Sequence, residues 1–100
     1  MSEIKRFIQM EENYLKVDKA VQAFKVELEE FQKILPLIQQ LDQYYGSNEW
    51  IEHQQLEQEE NIDYPTTAVL GEDYAYNTLS DVRTIALEML ETATNLLKTS

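Results

Sequence analysis

The chain has 100 residues, 43% of them apolar and 10% aromatic, enough to bury the core of one small domain. Two glycines and two prolines are too few for the many turns of an all-β sandwich, and the absence of cysteine removes disulfides and thiolate chemistry. A net charge of −11 argues against direct binding of nucleic-acid phosphates or an anionic membrane, because both need a basic surface.

That charge is concentrated. Residues 1–38 carry seven acids and six bases, and residues 83–100 carry two of each. Between Gln39 and Val82 stand ten acids and no Lys or Arg. A soluble, cytoplasmic protein is expected: no apolar run approaches the roughly 20 residues of a membrane span. The start, "MSEIKRFIQMEENY", shows no secretory signal.

In chain order, the first expected element is a long helix. Phe7, Tyr14, Val21, Leu28 and Leu35 recur at heptad spacing, and Met10, Val17, Phe24, Phe31 and Ile38 follow three residues on. This is an a/d seam, widened by Ile4, Ile8, Leu15 and Ile34, as in a globular bundle. Ser2 is the expected N-cap, and Glu12–Lys16 and Glu29–Lys33 are i,i+4 pairs. Pro36 then either kinks this helix or starts a short second one within its first turn. The kink is preferred, because the apolar spacing continues through Ile38, Leu41 and Tyr45 to Gly46. The spacing therefore predicts a helix over about 3–45, kinked at 36.

Residues 46–71 form an acidic connection, with a short helix from about Glu49 to Gln58 capped by Ser47 or Asn48. Beyond it Ile62, Tyr64, Val69 and Leu70 are spaced singly, as in a chain laid over a core, and Tyr64 before Pro65 is expected to be extended. Gly71, followed by Glu72 and Asp73, opens a last helix over about 72–98. Its seam is Leu79, Val82, Ala86, Met89, Ala93 and Leu96. The expected fold is all-α: an antiparallel helical hairpin or three-helix arrangement within a single domain.

Catalytic chemistry is sparse. No Ser sits in a G-x-S-x-G setting, and Gly46 and Gly71 stand alone, so no phosphate-cradling loop is present. Glu49, His53 and Glu57 share a helix face at i, i+4 and i+8. The outer two are about 12 Å apart along the axis, too far for one metal ion. No metal, cofactor or enzymatic activity is expected. The residues that stand out are Tyr44, Tyr45, Trp50, Tyr74 and Tyr76, with the acids Glu49, Glu52, Glu72 and Asp73 beside them. They form the corner of a folded bundle, where the five rings could meet, or else a ligand pocket or an interaction surface.

"YYGSNEW", an acidic stretch and "AVLGEDYAYNTLSDV" together resemble the small bacterial family called domain of unknown function 4298. The resemblance rests on Tyr44, Tyr45, Trp50, Val69, Leu70, Glu72 and Asp73, with Pro36 before the tyrosines, and it covers nearly the whole chain. Ala68 and Gly71 stand where that family usually has glycine and serine, and His53 where aspartate is common. The resemblance implies a mainly helical, soluble protein and supplies no activity.

The leading expectation is a non-enzymatic interaction module that binds another protein, one with a basic surface, through its acidic, aromatic end. The alternatives are an acidic mimic of nucleic acid that occupies a basic protein, and a metal-dependent enzyme. A homodimer is a further expectation, because two seams on one hairpin can leave apolar surface uncovered.

Overall fold

The computed structural model describes residues 2–60 and 62–99, and every regular element among them is helical. Four α-helices follow in chain order: α1 Ser2–Lys33, α2 Leu35–Tyr44, α3 Asn48–Glu59 and α4 Glu72–Thr99. A one-turn 3-10 helix at Ala68–Leu70 precedes α4. The chain divides into two compact units, Met1–Leu37 and Ile38–Ser100, and α2 begins in the first and ends in the second.

The first unit is essentially α1. Its 32 residues contain no Gly or Pro, which is why the hydrogen-bond ladder runs unbroken. No residue of α1 is buried: Phe7 is 66% and Phe24 58% exposed. The seam that the heptads mark thus has nothing within its own unit to cover it. α1 begins at Ser2, so the cap position falls on residue 1, outside the described residues. Among the described residues the one ion pair joins Lys33 to Glu30 at 3.1 Å, rather than to Glu29, and Glu12 and Lys16 do not pair. On an exposed helix, partners at i+3 and i+4 are equally near, and such pairs contribute little.

The stretch expected as one kinked helix over 3–45 is two helices, interrupted at Ile34. Pro36 has no N–H to offer the Gln32 carbonyl, and Ile34 has tightened onto Phe31 through a 3.1 Å backbone bond. Pro36 therefore lies in the first turn of α2, where a missing N–H goes unnoticed.

In the second unit α2 ends where Gly46 turns to φ +80°, the left-handed region that glycine enters without steric cost. Ser47 N–H then reaches back to the Tyr44 carbonyl at 3.0 Å, and α3 starts one residue later. α3 ends at Glu59, and the chain bends at Tyr64 and Pro65. Tyr64 N–H closes a tight turn on the Ile62 carbonyl at 3.1 Å. Leu70 N–H to the Thr67 carbonyl (2.9 Å) and Gly71 N–H to the Ala68 carbonyl (3.0 Å) build the 3-10 turn. Gly71 is followed by Glu72 and Asp73 in the positive first turn of α4. Among the described residues the buried apolar side chains are Trp50, Leu70 and Ala75, one each from α3, the 3-10 turn and α4. The small Ala75 lets α4 lie close to the turn that precedes it.

Candidate functional site

Ser47 is the joint of the aromatic corner. Its Oγ–H donates to the Tyr44 carbonyl at 2.6 Å, and the same oxygen accepts from the Trp50 N–H at 3.2 Å. One hydroxyl thus satisfies the end of α2 and caps the start of α3, which fixes the angle at which Trp50 leaves the turn. Trp50 is 7% exposed, and its ring lies 4.9 Å from that of Tyr45, tilted by 57°.

From α3 two side chains one turn apart reach the returning backbone. Trp50 Nε1–H donates to the Val69 carbonyl at 2.9 Å, and Gln54 Nε2 donates to the Leu70 carbonyl at 2.7 Å. Tyr45 hydroxyl adds a 3.2 Å bond to the Glu72 carbonyl. The first two give partners to carbonyls that the short 3-10 turn leaves open, and the three together hold residues 69–72 against the corner.

Tyr44 and His53 share a 2.7 Å hydrogen bond between the phenol oxygen and Nδ1. They form one wall of a cleft of about 370 Å³, completed by Leu56 on α3 and by Ile62, Tyr64, Thr66, Thr67, Val69 and Leu70 on the returning chain. Tyr76 borders a second cleft of about 380 Å³ with Asp42, Tyr45 and Arg83.

The five rings do not form one cluster. Tyr45 and Trp50 pack together and Tyr44 sits on His53, whereas Tyr74 and Tyr76 are 70% and 61% exposed. The reason is helical spacing: residues two apart on α4 point to different sides, and Ala75 between them takes the inward position. Glu49, Glu52, Glu72 and Asp73 are all exposed. Gln54 drew no attention in the sequence, although its position one turn after Trp50, on the same helix face, was the available signal. Among the described residues no group of three or more His, Cys, Asp or Glu could hold a metal ion, Glu49, His53 and Glu57 included. Nor is any described helix long and apolar enough to cross a membrane.

The model of the family described as Domain of unknown function (DUF4298) matches residues 7–92. The chain belongs to that family. No curated protein and no solved structure matches it. The DUF4298 match takes in the whole corner, from the end of α2 to the first turns of α4.

In this DUF4298 chain, burial raises the Tyr44 phenol above its usual range, and the nearby Glu49 carboxylate adds to the shift. The folded chain therefore keeps that proton to higher pH than the unfolded chain. The associated stability is fully present below about pH 10 and is lost as pH rises through the raised value. Tyr44→Phe should flatten part of the alkaline fall in stability. Urea midpoints measured on either side of pH 10 test this, and an unchanged slope would assign the fall to other groups. Trp50→Phe keeps an aromatic ring but strands the Val69 carbonyl. It should lower stability by about 1–3 kcal/mol with helix content retained, measured by urea unfolding with circular dichroism.

Proposed function

We propose that this DUF4298 chain is a non-enzymatic protein–protein interaction module of the cytoplasm, which engages a basic partner protein through the acidic, aromatic end of its second unit. The observation that carries this reading is the pairing of outward aromatics with one sign of charge. Tyr64, Tyr74 and Tyr76 are 70%, 70% and 61% exposed. They stand within a stretch of ten acids that holds no Lys or Arg.

Tyrosine is a typical interface anchor, since it covers much apolar area with few rotatable bonds and keeps a polar tip. Trp50 and Tyr45, which look like anchors in the sequence, are occupied in holding the corner, so the contact falls to the tyrosines that face out. Glu49, Glu52, Glu72 and Asp73 supply a negative rim that speeds encounter with a cationic surface and repels anionic ones.

The seam of α1 belongs to the same reading. We infer that it closes against the α4 seam as an antiparallel hairpin, because an isolated helix with an apolar stripe gains its stability from covering that stripe. In a chain without native cysteine, spin labels at Ser2→Cys and Lys98→Cys should then lie within about 30 Å of each other. A distance at or above the length of α1, about 48 Å at 1.5 Å per residue, would overturn the hairpin. For the interaction surface, Tyr74→Ser with Tyr76→Ser should leave the melting temperature nearly unchanged and abolish recovery of the partner in affinity capture. Equal recovery by wild type and variant would remove these tyrosines from the interface.

A further inference from the structure

The cleft walled by Tyr44, His53, Leu56, Ile62, Val69 and Leu70 is large enough, at about 370 Å³, for an apolar side chain. Its chemistry narrows what can enter. The Tyr44 phenol and His53 Nδ1 already bond to each other, and the Val69 and Leu70 carbonyls are taken by Trp50 and Gln54. Thr66 Oγ1 accepts from the Ala68 N–H at 3.2 Å, and Tyr64 and Thr67 are the other polar residues of the lining. The surface turned toward the cleft is mainly apolar, with Leu56 and Val69 42% and 39% exposed.

The surroundings of Leu56 set the charge of the visitor. Its helix neighbours at i−4 and i+3 are Glu52 and Glu59, and Asp63 follows Ile62 on the opposite wall. No Lys or Arg lies anywhere from Gln39 to Val82, so nothing in the chain's own sequence nearby neutralises this rim. A second copy would bring the same acids to the same place and be repelled.

We propose that this cleft receives an apolar side chain carried on a lysine- or arginine-rich segment of the partner protein. The inference rests on the reading of the second unit as an acidic docking end and gives that end its specificity. Burial of the side chain supplies affinity, and the carboxylates select cationic flanks.

The test uses three labelled peptides and fluorescence anisotropy at an ionic strength of about 0.15 M. One is a lysine peptide with a central leucine, one has serine in place of that leucine, and one is a glutamate peptide with the leucine. The lysine–leucine peptide should bind about tenfold more tightly than the lysine–serine peptide, the order expected for burying one branched side chain. Leu56→Gln should erase that difference and leave lysine–serine binding unchanged. Val69→Thr, which keeps the side-chain shape and the backbone carbonyl, is the second variant. Emission from Trp50, the chain's single tryptophan, reports whether each variant is folded. Equal binding of the two lysine peptides, unaffected by Leu56→Gln, would overturn the cleft proposal and leave the acidic docking end standing. Binding of neither lysine peptide would bring down both. Tight binding of the glutamate–leucine peptide would overturn the commitment to a basic partner.

Discussion

The Trp50 indole N–H donating to the Val69 carbonyl joins α3 to the 3-10 turn nineteen residues on. A 3-10 turn of three residues cannot satisfy its last carbonyls, and leaving one buried without a donor costs about 1–3 kcal/mol. Trp50 meets that constraint at Val69 and Gln54 at Leu70, and Tyr45 adds a bond to the Glu72 carbonyl in the first turn of α4. The geometry of these donors depends in turn on Ser47, whose hydroxyl ends one helix and begins the next. The chain can make this joint because Gly46 reverses it without steric strain.

The corner is fastened by neutral groups. Phenol, indole, amide and hydroxyl do the bonding; among the described residues no charged side chain is buried and the one ion pair lies on α1. Neutral hydrogen bonds in a half-buried setting are little affected by salt, so the fold of this unit does not lean on its charge. The carboxylates between Gln39 and Val82 remain exposed or half-buried around a structure that does not need them. Such an arrangement lets an acidic surface meet a cationic one without loosening the scaffold that presents it.

Much of the helical layout was legible from local chemistry. α3 runs from Asn48 to Glu59 behind a Ser47 cap, and α4 opens at Glu72 directly after Gly71. Caps, left-handed glycine and acids in a first turn act within a few residues, so sequence displays them. Pro36 was equally visible, but its outcome was not: the apolar spacing that favours one kinked helix persists through a point where the backbone ladder stops at Ile34. Apolar periodicity reports which side a residue faces, and it is blind to whether consecutive turns share a hydrogen bond.

The division of labour among the aromatics was decided elsewhere. From sequence alone Tyr44, Tyr45, Trp50, Tyr74 and Tyr76 form one set, whereas in the fold Trp50 is buried, Tyr45 packs on it, and Tyr74 and Tyr76 face outward. The partners that sort them, the Val69 and Glu72 carbonyls, are backbone groups many residues away and carry no side-chain signature. The cleft beside Leu56 was hidden for the same reason. The sequence by itself determined an all-helical chain, its turns, its acidic middle and its poverty in catalytic groups, because those follow from residue type and short-range spacing. Only the tertiary structure decided which rings fasten the corner and which remain free, because that depends on where the returning backbone places its unpaired carbonyls.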